Sequence, residues 1–198
     1  MTPPKPLDRA LTDPGDPPMR PLPPAVTSLL LALQAPPRLA AHLRAVHDVA
    51  HELADWTRAR CPGLPLDREA VFFGAATHDI GKTVHEAELS GPGSAHEEAG
   101  RALLLAHGFP PALARFAGTH ASWARAAVTV EELLVSVADK VWKNQRVPDL
   151  EDRLVARLAE ANGTQPWEEF LALDDVLSRI GEQAARRLAF QASFPVRG

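Results

Sequence analysis

The stretch that decides the fold is "PRLAAHLRAVHDVAHELADW", residues 37–56. Its large apolar residues recur every three or four positions, which is the spacing of one face of an α-helix. These residues are Leu39, Leu43, Val46, Val49, Leu53 and Trp56. Pro37 fits a helix start, because a proline in the first turn lacks only an amide that has no helical partner anyway. With "CPG" at 61–63 as its stop, the stretch predicts one long core helix ending at about Arg60.

Helical periodicity continues along most of the remaining chain, and no segment alternates as a strand would. Asp67 and Thr129 are suitable N-caps, and Glu132 completes a capping box with Thr129. The predicted helices are 26–34, 37–60, 68–76, 95–107, 110–121, 129–144, 148–161 and 165–191. The sequence therefore predicts an all-α protein, a compact helical bundle of about seven to eight helices.

The first 24 residues differ from the rest, because they contain nine prolines and few large apolar side chains. Such a composition fixes many φ angles and offers little to a core. We therefore predict a disordered, proline-rich tail over residues 1–24 and a single helical domain over 25–198. Within that domain, 37–145 carries the motifs described below, and 148–193 forms a C-terminal helical extension.

The charge and cysteine content limit the classes of partner and compartment. The net charge is −4, and no cluster of lysine and arginine suggests a nucleic-acid groove or an anionic membrane surface. The single cysteine, Cys61, fits a reducing compartment. The N-terminus lacks a signal-peptide pattern, and the longest apolar run, 29–33, is too short to span a bilayer. We therefore expect a cytoplasmic protein that contacts neither DNA, RNA nor membrane.

Two polar side chains fall on helix faces that should be buried. His42 lies three residues after Leu39 and four before Val46, so it points into the apolar stripe. Asp139 faces the core in the same way in the helix predicted at 129–144. A buried imidazole needs partners for its nitrogens, and a buried carboxylate needs hydrogen bonds, an ion pair or a cation.

Further histidines and an aspartate occupy positions near the core. Adjacent His78 and Asp79 follow one predicted helix, His96 begins another, and His120 ends a third. Taken singly, each histidine is most simply a hydrogen-bonded core residue, and Asp139 is most simply half of an ion pair. Taken together, the six side chains suit a metal site assembled between helices.

His47 and His51 are also candidates, since they stand four residues apart as the two ligands of a zinc-protease helix do. No glutamate follows His47, however, and both histidines flank the apolar stripe. We expect them to support the site or to line its rim, without binding the metal.

The ordered set of donors resembles the HD-domain superfamily of metal-dependent phosphohydrolases. The family signature, a histidine, a later His-Asp pair and a distal aspartate, corresponds to His42, His78, Asp79 and Asp139. The segments "HDIGK" at 78–82 and "VADK" at 137–140 look like the usual surroundings of the central pair and the last aspartate. The resemblance covers about residues 37–145 and implies a helical fold, divalent metal and phosphohydrolase activity.

Two further segments, "SGPGSAHEEAGRALL" and "FAGTHASW", look like those by which part of this superfamily binds a second metal ion. The resemblance implies a dinuclear site with His96 and His120 on the second metal. One metal would lie on His42, His78, Asp79 and Asp139, with Asp79 bridging the pair.

The sequence departs from several branches of the superfamily. The cyclic-dinucleotide phosphodiesterases carry a paired histidine and a Gly-Tyr-Pro motif, whereas this chain has one histidine in "THASW" and no tyrosine. Alarmone hydrolases place an acidic pair where this chain has Ile80-Gly81-Lys82. Deoxynucleotide triphosphohydrolases are longer. The nearest resemblance is to small standalone nucleotide phosphohydrolases, such as bacterial dinucleoside-tetraphosphate hydrolases.

The implied reaction is attack of a metal-activated hydroxide on phosphorus, with Asp79 and Lys82 as catalytic residues. Histidine and carboxylate ligands suit iron, manganese, zinc, cobalt or nickel. We expect a small phosphorylated molecule, a nucleotide, as the substrate, contacted by Lys82, Lys143 and Arg146. The alternative is a non-catalytic HD module that binds a nucleotide and regulates a partner. The oligomeric state is left open.

Overall fold

The computed structural model describes residues 4–196 and contains only helices, turns and loops in that range. The all-α prediction is confirmed. The helices are α1 Pro6–Thr12, α2 Pro24–Ala32, α3 Pro37–Arg60, α4 Arg68–Thr77, α5 Ala95–Ala106, α6 Pro111–Thr119, α7 Val130–Val141, α8 Pro148–Asn162, α9 Pro166–Gly181 and α10 Ala184–Ala192. Two short 3-10 helices, Ile80–Thr83 and Glu86–Leu89, separate α4 from α5.

Helix α3 is the centre of the molecule, and α1, α4, α7, α9 and α10 all contact it. Its bounds are those that the sequence predicts, and most of its residues are buried. The main apolar core is formed by residues of α3, α4, α7, α8 and α9, while a second cluster lies under α1, α2 and the first turns of α3. A helix buried on so many sides provides a rigid support for side chains that face a cavity.

The starts of α4 and α7 are fixed by the capping residues expected from the sequence. The Asp67 carboxylate accepts a hydrogen bond of 3.0 Å from the amide of Ala70. Thr129 and Glu132 form the complete capping box, each side chain accepting from the other's backbone amide. Glu132 also accepts from the Thr119 hydroxyl at 2.9 Å, so the start of α7 is tied to the end of α6.

The prediction of a disordered tail over 1–24 is wrong for residues 4–24; residues 1–3 lie outside the described part. Helix α1 packs against α3, and Leu11 and Leu22 are buried. The reason is Arg44, whose buried guanidinium donates to the carbonyl oxygens of Ala10 at 2.8 Å and Met19 at 3.3 Å. A buried cation that needs acceptors holds this segment, which its apolar content alone would not.

The helix predicted at 165–191 is divided into α9 and α10, and together with α1 this brings the number of α-helices in residues 4–196 to ten. The expected count of seven to eight is therefore low. A Cβ on Gly181 would collide with the side-chain amide of Asn144, so the chain passes close to the end of α7 there. Beyond the break, buried Arg187 donates to the Ile180 carbonyl at 2.8 Å and to Glu52 of α3 at 3.1 Å. These contacts lay α10 across α3.

In the described residues, no helix combines the length and the apolar character that crossing a membrane requires. The cytoplasmic location itself stays a prediction.

Candidate metal centre

The six donors singled out in the sequence converge on one cavity. They come from α3, the end of α4, the start of α5, the end of α6 and α7, and each residue is at least nine-tenths buried. They are His42, His78, Asp79, His96, His120 and Asp139, and all but the fully buried His78 line a cavity of about 430 Å³. The donor atoms fall into two adjacent groups of three.

The first cluster consists of His42, His78 and Asp139. The two Nε2 atoms of the histidines lie 3.2 Å apart. Asp139 Oδ1 lies 3.4 Å from Nε2 of His78 and 3.8 Å from Nε2 of His42. The three donors thus surround one point, each from a different helix or helix end.

The second cluster consists of Asp79, His96 and His120. Asp79 Oδ1 lies 3.1 Å from Nε2 of His96 and 3.6 Å from Nε2 of His120. Its other oxygen, Oδ2, lies 3.1 Å from Nε2 of His42, a member of the first cluster. The two oxygens of one carboxylate therefore face different clusters.

Gly81 explains how the two clusters come to lie side by side. Helix α4 ends just before His78, and the chain turns through the first 3-10 helix directly against the start of α5. A Cβ on Gly81 would collide with the carbonyl oxygen of His96 and the amide of Gly100. Only glycine allows this approach, which brings His96 up to Asp79.

Backbone carbonyls fix two of the imidazole rings. Nδ1 of His78 lies 2.9 Å from the Ala75 carbonyl, and Nδ1 of His120 lies 3.1 Å from the Ala117 carbonyl. Since a carbonyl only accepts, Nδ1 of each ring carries a proton, and Nε2 is the nitrogen that faces the cavity and can bind a metal once it is unprotonated. This is the usual arrangement of histidine ligands to a metal.

The donor atoms of the two clusters are better placed to bind a divalent metal than to hydrogen-bond one another. Nε2 of His96 is buried without a hydrogen-bond partner, because its 3.1 Å approach to Asp79 lacks hydrogen-bond geometry. Nε2 of His42 and of His78 face one another, and at least one of two such atoms must carry a proton to avoid opposed lone pairs. Buried donors that face a shared point and are only partly satisfied by one another are what a cation would satisfy.

A comparison with known families agrees with this geometry. The model of the HD domain matches residues 39–144, more than half of the chain. The chain belongs to the HD-domain family. HD domains are generally metal-dependent hydrolases that bind divalent ions. No curated protein and no solved structure matches the chain.

The charges in this HD domain suit metal ligation. Burial opposes ionisation of Asp79 and Asp139, yet the neighbouring groups, His78 foremost, together outweigh it and lower the pKa of both carboxyls. Burial lowers the pKa of His42 and takes that of His120 to about 4. For His78 burial lowers the pKa, but the two carboxylates together raise it more, so a cation bound there would displace a proton. Ionised carboxylates and neutral imidazoles are the forms that bind metal.

Lysines line the mouth of the HD-domain cavity. Lys82 Nζ lies 2.6 Å from Asp79 Oδ2, and Lys140 Nζ lies 2.7 Å from Asp139 Oδ2. Lys143 is exposed on the cavity wall. Three of the four lysines of the chain therefore line this cavity. Sequence spacing had singled out Lys82 and Lys143 as phosphate contacts, and that role stays a prediction.

Arg146, the third predicted substrate contact, lies apart from the cavity walls in the described structure. Its guanidinium lies 2.7 Å from Glu151 and 2.8 Å from Asp174. Two carboxylates satisfy the arginine, so it joins the loop before α8 to α9. The sequence neighbourhood of Lys143 was misleading, because the chain turns away after α7.

His47 and His51 likewise lie apart from the two clusters. The His51 ring stacks on Phe72 with centroids 3.5 Å apart, and the His47 ring packs edge-on to His51 at 4.7 Å. Neither residue lines the cavity. The expectation that they would line its rim is not met.

Several cavity residues were not found from the sequence. Leu188 and Gln191 come from α10, outside the segment that matches the HD domain, and Leu89 comes from the second 3-10 helix. Glu88, next to it, hydrogen-bonds His96. Periodicity along the chain does not identify these positions as cavity residues, because tertiary packing alone brings them to the site.

Proposed function

We propose that this HD-domain protein is a metal-dependent phosphohydrolase acting on a nucleotide or another small phosphoester at a dinuclear site. The observation that carries the proposal is the position of Asp79, one oxygen of which faces His42 while the other faces His96. A carboxylate shared in this way suits two adjacent ions. When bound, such ions would supply a hydroxide at neutral pH and neutralise phosphoryl oxygens.

The protein's own residues would bind the substrate and neutralise its negative charge. The cavity is lined by Lys82, Lys140 and Lys143. Their positive charges can neutralise phosphate oxygens that lose their hydrating water when the substrate binds. Hydrolysis adds water across the P–O bond, so the departing oxygen must gain a proton. Glu97 also lines the cavity, and burial raises its pKa, which makes its carboxyl the group we assign to that transfer.

The walls of the cavity favour an organic phosphate over inorganic polyphosphate. Besides the lysines, they include Leu89, Trp142, Leu188 and Gln191. Apolar surface beside a cationic edge suits a molecule with a phosphate at one end and an uncharged or aromatic group at the other. A nucleotide is the class that meets both conditions.

The test combines metal analysis with a substrate panel. Purified protein should bind two equivalents of Mn²⁺, and the loaded protein should hydrolyse members of a nucleotide and phosphodiester panel. Asp79→Ala should remove turnover, whereas Asp175→Ala, an exposed aspartate on α9, should leave it unchanged. Full activity in Asp79→Ala would refute the shared-ligand role.

The same experiment addresses the alternative of a non-catalytic module. An exposed apolar patch on α9, formed by Trp167, Phe170 and Leu171, is the observation that favours a partner-binding role. Metal binding and nucleotide-dependent thermal stabilisation without turnover would support that alternative in place of the enzyme.

A further inference from the structure

Glu88 makes three contacts at the start of α5. Its Oε2 atom accepts from Nδ1 of His96 and, at 3.2 Å, from the backbone amide of the same residue. Its Oε1 atom accepts from the amide of Ala95 at 3.2 Å. The Glu88 side chain is 12% exposed, so these contacts are largely shielded from water.

His96 differs from the other ring-fixed histidines in what holds it. The rings of His78 and His120 are fixed by carbonyls three residues earlier at the ends of their own helices. His96 is the second residue of α5, and the residue three positions before it, Gly93, lies in the preceding loop. No carbonyl of its own helix stands behind the ring, so the acceptor must come from elsewhere in the chain.

The loop before α5 is shaped to admit the Glu88 carboxylate. A Cβ on Gly93 would lie too close to the Oε1, Cδ and Cγ atoms of Glu88. Ser94, the N-cap of α5, makes no side-chain cap, and the Glu88 carboxylate bonds the first amides of the helix in its place. Glu88 therefore orients the ring and the helix that carries it.

We propose that Glu88 is a positioning residue that aims Nε2 of His96 at the second cluster and thereby controls metal binding there, while the first cluster is independent of it. This inference rests on the metal-binding part of the proposed function. A carboxylate behind the ring fixes the tautomer with Nε2 free and makes that nitrogen a stronger ligand. Nothing in the first cluster contacts Glu88.

The test is calorimetric titration of metal-free protein with Mn²⁺, without substrate. The wild type should bind two equivalents. Glu88→Ala should keep the first affinity and weaken the second by about 10–100-fold, the usual effect of removing a residue that supports a ligand. Glu88→Gln, which keeps an oxygen acceptor but loses the charge, should fall between. The control Glu98→Gln changes an exposed glutamate in the same helical turn and should match the wild type.

Two further variants separate positioning from simple helix capping. Gly93→Ala keeps Glu88 but displaces its carboxylate, so it should also weaken the second affinity. His96→Ala should reproduce the loss seen with Glu88→Ala. Co²⁺ absorption should show that only the second ion changes its coordination.

Three results would overturn the inference. One is an unchanged second affinity in Glu88→Ala, with only the melting temperature of the metal-free protein lowered, as loss of a cap would cause. The others are equal weakening of both sites and binding of a single equivalent by the wild type. Because no substrate is present, absence of hydrolysis would count against the proposed enzyme and leave this inference intact.

Discussion

The two clusters are built from different parts of their helices. In the first, His42 projects from within the long helix α3 and Asp139 from the last turn of α7, and both helices pack in the main core. In the second, His96 begins α5 and His120 follows the end of α6. Side chains within buried helices are held by packing on all sides, whereas those at helix ends depend on individual hydrogen bonds. The first cluster therefore has one ligand, His42, held inside a long buried helix, and the second has none, which makes the second the more easily changed.

The largest expected effect on metal binding and turnover comes from removing one histidine from each cluster in turn. His78 is fully buried and lies close to His42, Asp79 and Asp139. His78→Ala should therefore abolish tight metal binding and reduce turnover by about 1,000-fold or more, which corresponds to roughly 4 kcal/mol of lost stabilisation. His120→Ala should leave the first metal bound.

The two variants are compared by metal titration and by steady-state kinetics on the same substrate. His107→Ala, which changes an exposed histidine at the end of α5, is the matched control. If His120→Ala removed the first metal as completely as His78→Ala does, the clusters would have to be treated as one unit.

A second prediction concerns His47, a buried histidine without a carboxylate partner. Burial, with the nearby His51, lowers the pKa of His47 to about 3, and its Nδ1 atom has no partner. The unfolded state, with a pKa near 6.5, then binds more protons, so stability is complete above pH 6.5 and is lost as the pH falls towards 3. Between pH 7.5 and 5, His47 should account for a loss of about 2 kcal/mol.

The measurement is urea unfolding in the presence of a chelator at the two pH values. His47→Gln should show the smaller decrease in unfolding free energy, while His107→Gln should behave as the wild type. Equal slopes in all three proteins would show that other groups cause the acid sensitivity.

The smallest expected effect concerns the cavity wall that neither cluster forms. Leu188 is 39% exposed and faces the cavity from α10. Leu188→Ala should raise KM by about 5-fold, roughly 1 kcal/mol of apolar contact, and leave kcat and both metal affinities unchanged. Leu171→Ala, an exposed leucine on α9 outside the cavity, is the control. A change in metal affinity would mean that α10 supports a cluster as well.

The sequence predicted best where local signals agree. Helix α3 has the bounds expected from Pro37 and the stop at 61–63, because a proline start, a long apolar stripe and a proline–glycine end are all local. His42 and Asp139 were found as polar residues on apolar faces. Their convergence with the other four donors came from the family resemblance, since spacing within helices says nothing about which helices meet.

The errors arose where distant contacts decide the structure. Arg44 orders the segment around α1 through carbonyls some thirty positions earlier in the chain, which composition does not reveal. From the sequence, Gly181 is compatible with a continuous helix, but in the structure the side chain of Asn144 packs directly against it. Arg146 lies next to the site in sequence, yet Asp174, 28 residues on, helps to hold it elsewhere. Each case depends on a partner that periodicity cannot supply.

The contact at Gly81 has a consequence for how the centre can vary. There the turn after His78 and Asp79 contacts the backbone of α5 directly. No side chain lies between the two whose size or rotamer could change. Substitution of Gly81 therefore cannot change the distance between the turn and α5 in small steps. The separation of the two halves of the centre is therefore adjustable only by shifting an entire helix, and a chain that keeps this glycine keeps their spacing.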